Sequence, residues 1–278
     1  MTPRELLRAL TEELRSADVP DPEVDAGLLL SHVTGQNPLN LRLDSWSQVS
    51  VEAERAVRRL CEMRKTRTPL QYLTGVQSFL GRDFHVDDRV LIPRPETELL
   101  AERAIAALRA CDSPVALDLC CGSGCLAVSM ALSVPGAQVH AADLSEGALA
   151  VTATNADSLH AKVALHHGDL FAALPDGLRF HVIVSNPPYI PAADCLTLQE
   201  EVLREPLMAL DGGADGYDFY RRIAQEAPGR LFSGGTLLME VGFDQAQGVM
   251  ALCREAGFYF VTAHEDYQHI LRMVEARL

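Results

Sequence analysis

The tetrapeptide Asn186-Pro187-Pro188-Tyr189 is where the residue types of this 278-residue chain most directly suggest chemistry. Two consecutive prolines fix two φ angles and push the residue before each toward extended backbone, so the segment is stiff. Proline lacks an N–H but keeps its carbonyl, which makes Pro187 an acceptor with no competing donor. The Asn186 amide oxygen is a second acceptor beside it. Two rigid acceptors are what a planar –NH2 or –NH– group requires. Such a nitrogen is a poor nucleophile, because its lone pair is delocalised into the neighbouring π system. Acceptors on its hydrogens position it and favour pyramidalisation, and Tyr189 can stack on the flat group. Catalysis is then mainly alignment and electrostatics, with no strong base needed before attack. The plain alternative is a Pro-rich turn after a buried strand.

A second cluster lies upstream. The strand-like VALDL (115–119) runs into Cys120-Cys121-Gly122-Ser123-Gly124-Cys125. Glycines here let the backbone turn tightly and approach a ligand, with a helix N-terminus behind them. Asp143, at the end of the next strand-like run, is placed to accept hydrogen bonds from ribose hydroxyls. This points to a nucleoside-type cofactor without choosing one, since Gly122-x-Gly124-x-x-Ala127 also satisfies the loose dinucleotide fingerprint. Gly168-Asp169-Leu170-Phe171 offers an acid followed by apolar side chains, a pairing that suits an adenine ring. The cysteines of the turn read as small residues in a crowded place. The seven cysteines form no paired CxxC units, so reduced thiols and no metal are expected.

These loops need elements to hold them. Seven strand-like segments occur at 115–119, 138–142, 163–167, 180–185, 235–241, 258–262 and 270–274. Helical stretches alternate with them, which predicts an α/β fold with a mostly parallel sheet and helices on both faces. In such sheets ligands bind beyond the carboxyl ends of the strands, where both clusters fall. The N-terminal region, 1–72, reads as a small all-helical domain. Leu6, Leu7, Leu10 and Leu14 recur at helical spacing, Asp21-Pro22 opens a second helix, and 51–65 places Ala56, Val57, Leu60 and Met63 on one face. Residues 73–93 read as a hairpin linker before the second domain, 94–278.

Bulk properties limit the partners. A formal net charge of −14 opposes direct binding to a nucleic-acid backbone. The local basic run of Arg55, Arg58, Arg59, Arg64, Lys65 and Arg67 reads as a solvated helix face. No apolar run reaches the ~20 residues of a membrane span, and the N-terminus alternates charge with leucine, so a cytoplasmic protein is expected.

Taken together, DLCCGSG, Asp143 and NPPY resemble a class I, Rossmann-like, S-adenosylmethionine-dependent methyltransferase that methylates amino nitrogens. PLQYLTGVQSFLGRDFHV, VLIPRPETELL, EEVLREPLMALDGGADGYDFYRRIA and GGTLLMEVGFDQ narrow the resemblance to the HemK/PrmC family, over nearly the whole chain. That family methylates the glutamine amide of the Gly-Gly-Gln motif of peptide chain release factors. The resemblance implies that Cys120, Cys121, Gly122, Ser123 and Gly124 lie against the cofactor's methionine part. It implies that Asp143 takes the ribose, that Asp169, Leu170 and Phe171 surround the adenine, and that Asn186 meets cofactor and substrate. Asn186, Pro187, Pro188 and Tyr189 would hold the substrate amide, with Asn186, Pro187 and Tyr189 catalytic, while Arg94 and Glu96 help close the site. The helical domain would engage the release factor.

Two residues depart from the family pattern. Cys120 replaces the first glycine of the cofactor turn, and His269 replaces the glycine of Asp266-x-x-Gly-x-x-Arg272, where an imidazole could reshape the substrate pocket. A second substrate class therefore stays open. The δ nitrogen of free arginine is also planar, and Glu96, Glu240 or Asp266 could meet its guanidinium. Methylation of a nucleic-acid amino group is a third reading.

Overall fold

The computed structural model describes residues 1–44 and 46–278, which form two compact units. One comprises Met1–Val76 with Gln199–Arg204, the other Gln77–Leu198 with Glu205–Leu278. The hairpin segment expected as a linker thus falls mostly in the second unit. The stretch Gln199–Arg204 joins the helical one, which no local pattern signals.

In the first unit, α1 (Pro3–Arg15) opens on a capping box, with the Thr2 side chain accepting from the Glu5 N–H and the Glu5 side chain accepting from the Thr2 N–H. It packs with α2 (Pro22–Thr34), α3 (Pro38–Leu43) and α4 (Val51–Lys65), and α5 (Leu70–Thr74) packs against α2 and α4. The core is built from Leu6, Leu10, Leu14, Ala26, Leu29, Leu30, Val57 and Cys61. The expected face of α4 is corrected. Val57, Cys61 and Arg64 are buried, whereas Met63 is exposed. The basic run is no uniformly solvated face either. Arg64 is buried and pairs with Asp25 at 2.7 Å and Glu201 at 2.9 Å, and Arg67 meets Glu201 at 2.7 Å. Acidic partners at two distant points of the chain, Asp25 and Glu201, draw these arginines inward, which spacing along one helix does not reveal.

The second unit begins with the hairpin β1 (Val76–Phe79) and β2 (Arg82–His85). Its strands are joined by Leu80-Gly81, both at positive φ, as a two-residue hairpin of right-handed twist requires. After α6 (Pro95–Arg109) come β3 (Val115–Leu119), α7 (Cys125–Ser133), β4 (Gln138–Asp143), α8 (Glu146–Ser158), β5 (Val163–His167), β6 (Phe180–Ser185), α9 (Asp218–Arg230), β7 (Leu231–Glu240), α10 (Ala246–Glu255), β8 (Phe260–Glu265) and β9 (Leu271–Arg277). The seven-stranded sheet runs β5-β4-β3-β6-β7-β9-β8. Pairings from β5 through β7 are parallel, and β9 is antiparallel to both neighbours. This is the expected Rossmann-like fold, with its last three strands displaced or extended by a few residues.

Side chains alternate across the sheet. Ala116, Val182, Val184 and Leu238 pack with α6, α7 and α8, while Leu117, Ile183, Leu237 and Met239 pack with α9 and α10. Two buried faces explain why these strands read as continuous apolar runs. The chain turns from β3 outward to β4 and β5, then returns to β6 on the other side. The order reverses between β3 and β6, and the crevice lies there. Leu119 is in register with Ser185, so Cys120 and Asn186 leave the sheet side by side.

Candidate active site

The turn after β3 is held from behind. Gly124 is the N-cap of α7 and has no side chain to satisfy the first turn, so Asp118 supplies an acceptor from β3, its Oδ2 taking the Ala127 N–H at 3.0 Å. Burial pushes the Asp118 carboxyl up to about 8. Gly124 has φ +77°, and a Cβ there would lie 2.5 Å from Thr152 Cγ2. Thr152 in turn donates to the Gly122 carbonyl at 2.9 Å. The fully buried Asn155 donates to the Ser123 carbonyl at 2.9 Å and accepts from the His85 N–H at 2.7 Å. Thr152 and Asn155 thus tie the turn to α8, and Asn155 also reaches the hairpin. Cys120 carries the turn through φ +59°, a left-handed backbone that glycine adopts at less cost. Burial raises the thiols of Cys120, Cys121 and Cys125, the last to about 12, so none supplies a thiolate near neutral pH.

Asp143 ends β4. Its Oδ2 accepts from the Gly122 N–H and its Oδ1 from the Ser145 N–H, each at 2.9 Å. Each oxygen keeps a lone pair for a further donor.

The Asn186–Tyr189 segment is braced on several sides. Ser185 donates to the Leu119 carbonyl at 2.8 Å, and Gln245 donates to the Tyr189 carbonyl at 3.0 Å. Ile190 bridges Asp211, and a Cβ on Gly212 would lie 2.7 Å from Tyr189 Cα, so only glycine permits that approach. The Asn186 Nδ2 donates to Thr97 Oγ1 at 3.3 Å, and Thr97 Oγ1 donates to Glu240 Oε2 at 2.6 Å. Glu240 is 4% exposed. Burial pushes its carboxyl up to about 7, and the Glu96 charge adds to this. Hydrogen bonds from Thr97 and Asn186 and the nearby Arg272 pull it back down.

Between these loops lies a cavity of about 300 Å³. Cys120, Cys121, Gly122, Ser123, Asp143, Asp169, Leu170, Asn186 and Pro188 line it, so residues singled out from four separate loops meet on one wall. Its roof comes from Arg89, Val90, Leu91, Pro93, Pro206, Met208 and Ala209, and Thr97 and Phe219 complete it. Its lining, with the carboxylate of Asp143 among apolar side chains such as Leu126, Leu144 and Leu170, suits a nucleoside joined to a short chain.

Several expected positions lie off the wall. Gly124 faces Thr152. Phe171 is 1% exposed and packs in the core beneath the sheet, the short turn Leu170–Ala173 sending only Leu170 to the cavity. Asp169 lines the cavity, but one of its oxygens is held by Arg222 at 2.8 Å. Pro187 is buried, and Tyr189 leans on the core beside α9 and α10. Burial and the Glu240 charge raise the Tyr189 phenol. Arg94 pairs with the buried Glu205, whose second oxygen accepts from the Ile92 N–H at 2.9 Å. Arg94 therefore clips the roof, and Glu96 likewise stays off the wall.

The acids proposed to meet a guanidinium, Glu96, Glu240 and Asp266, are all absent from the wall. His269 does not reshape the cavity. Its backbone has φ +62°, and its exposed imidazole lies 3.1 Å from Glu265. Sequence reasoning missed Thr97, Asn155 and Glu205, and read Glu240 only as a possible cation partner. One signal was available, since an acid ending the apolar run GTLLME must be buried and so needs partners. Among the described residues, no helix is long and apolar enough to cross a membrane.

Comparison with known proteins agrees with this geometry. The model of the PrmC N-terminal domain matches residues 5–75, and that of the methyltransferase small domain matches 96–256. The release factor glutamine methyltransferase of Geobacter sulfurreducens is 42% identical over 95% of this chain and 93% of its own. The enzyme of the same name from Bordetella pertussis is 42% identical, covering 92% and 95%. That from Cereibacter sphaeroides is 40% identical, covering 100% and 99%. Among solved structures, the 16S rRNA N2 G1207 methyltransferase of T. thermophilus, in complex with AdoMet and guanosine, superposes with a TM-score of 0.54. It is 20% identical and covers 73% of this chain and 49% of its own, a likeness of fold alone.

Proposed function

The chain belongs to the release factor glutamine methyltransferase family, and from that premise we propose that it methylates the side-chain amide of the glutamine in a release factor's Gly-Gly-Gln motif. The cofactor in this reading is S-adenosylmethionine, which when bound supplies a methyl group on a sulfonium centre. Cys120 to Ser123, Asp143, Asp169 and Leu170 are the residues that would hold it.

The observation that carries this reading is the braced Asn186 beside the glycine turn, where β3 and β6 part. Asn186 Oδ1 and the Pro187 carbonyl would accept the two amide hydrogens, which fixes the plane of the group and turns the nitrogen lone pair toward the cofactor end. Pro187 and Pro188 hold that geometry without rearrangement, since their φ angles are already set. Tyr189 would border the substrate from the core side. Methylation makes the nitrogen acidic, so its proton leaves to water or to a neighbouring acceptor without a dedicated base. Glu205 and Arg94, by clipping segments 92–94 and 205–209 together, would keep water out of the cavity. The partner would be a release factor, met in the cytoplasm.

The test is incubation with methyl-labelled cofactor, release factor and free arginine in one mixture. Label on release factor, lost when its Gly-Gly-Gln glutamine is replaced, is expected. Label on free arginine with none on release factor would refute the reading.

A further inference from the structure

We propose that Thr97 and Glu240 are positioning residues for Asn186: a one-way hydrogen-bond chain from Asn186 Nδ2 through Thr97 Oγ1 to Glu240 Oε2 turns the Asn186 amide so that its oxygen faces the nitrogen to be methylated. This rests on the amide-methylation reading above and adds to it two residues that act only through a third.

The direction of the chain follows from what each group can do. A carboxylate only accepts, whereas a threonine hydroxyl has one hydrogen to give and lone pairs to receive with. The 2.6 Å contact commits the Thr97 hydrogen to Glu240. Thr97 then offers Asn186 only a lone pair, so Asn186 must present its –NH2 there, at 3.3 Å. With its nitrogen held on this side, the amide keeps its oxygen for the other. Thr97 and Asn186 line the cavity and Glu240 lies behind them, so the oxygen is left for the substrate. A flipped amide would set a donor against the donors of the substrate –NH2. An asparagine has no internal preference between the two orientations, and the chain supplies one.

The carboxyl sits among groups from several elements. Glu96 shares α6 with Thr97, Arg272 stands on β9, and Tyr189 and Cys125 approach from the neighbouring loop and from α7. Tyr220, on α9, gives its hydroxyl hydrogen to the Glu240 backbone carbonyl at 3.0 Å, leaving the carboxylate to the chain. Burial pushes the Glu240 carboxyl up to about 7. Below that pH a protonated carboxyl can itself donate to Thr97, and the chain loses its direction.

Steady-state kinetics with release factor and S-adenosylmethionine test this, alongside calorimetric cofactor binding and thermal unfolding. Thr97→Val keeps the shape and removes the relay. It is expected to lower kcat by about tenfold or more while cofactor Kd stays within about twofold. Thr97→Ser should restore most of the rate. Added to Asn186→Ala, Thr97→Val should cost nothing further, because its effect passes through the missing amide. Glu240→Gln should remove an acid limb of kcat near pH 7, since no titrating group remains in the chain. A Thr97→Val enzyme with kcat unchanged, losses that multiply in the double variant, or an acid limb that survives Glu240→Gln would overturn the proposal. If Thr97→Val fails to fold, Thr97→Ser and the pH profile of Glu240→Gln decide it. An unaltered enzyme that leaves release factor unlabelled sinks the substrate reading and the chain together. A labelled release factor with Thr97→Val unimpaired sinks the chain alone.

Discussion

Replacing Glu240 with glutamine should make the protein more stable above neutral pH while making it a poorer enzyme. The carboxyl is 4% exposed, and its value stands at about 7 against the ordinary 4.5. A carboxyl raised in the folded state binds its proton more tightly there than in the unfolded chain. Its contribution to stability is therefore complete below the ordinary value and is lost as the pH rises through about 7. The full loss is about 3 kcal/mol, at roughly 1.4 kcal/mol per tenfold change in proton affinity. About 2 kcal/mol of it falls between roughly pH 5.5 and pH 8.5. Glutamine carries no such dependence. Urea unfolding of both proteins across that range should show the variant's relative stability climbing by about 2 kcal/mol, then levelling off. A stability difference that does not change with pH would refute the reasoning, because the buried carboxyl would then have no raised value to lose. A difference that falls with pH would refute it more strongly, since the folded state would then favour the charge.

Three further outcomes follow from other parts of the molecule. His269→Gly should raise stability by up to about 1 kcal/mol, since it removes a side chain from a left-handed backbone at some cost in chain entropy, and should leave kcat unchanged; thermal unfolding and kinetics check it. Gly124→Ala sets a Cβ 2.5 Å from Thr152 Cγ2 at φ +77°, so it should cost about 2–4 kcal/mol and weaken cofactor binding, read by calorimetry. Arg64→Ala leaves the buried Asp25 without its cation, while the half-buried Glu201 keeps Arg67, and should destabilise the helical unit by about 3 kcal/mol, with Arg64→Met costing less because it refills the space.

What the sequence showed and what it hid divide along one physical line. The glycine turn, Asp143 and Asn186–Tyr189 are each contiguous with a strand, so a short window carries both the element and the loop it aims. The apolar runs of β3, β6 and β7 are legible because burial on both faces removes polar residues from them. Thr97, Asn186 and Glu240 instead come from α6, the end of β6 and the end of β7, and only the strand order brings them together. Periodicity does not encode strand order. Thr97 hid within the acidic first turn of α6, where Glu96 and Glu98 look like ordinary helix-dipole partners. Arg64 was misread for the same reason, because its partners Asp25 and Glu201 lie far from it along the chain. His269 and Cys120 looked like chemical departures, but both sit at positive φ, so the change from glycine strains the backbone without placing His269 in the cavity.

The same line explains why an acid, rather than a neutral amide, stands behind Thr97. Glutamine would fit the space and relieve the fold of a buried charge, yet it has both a donor and an acceptor to offer. A hydroxyl between two amides can run its hydrogen either way, and each direction satisfies every group, so the Asn186 amide would populate both orientations. A carboxylate has nothing to donate, so only one direction satisfies the chain. The stability lost to the buried charge is thus the cost of holding one orientation. The two effects of Glu240→Gln should therefore appear together, as a gain in stability above neutral pH and a fall in kcat with cofactor affinity retained.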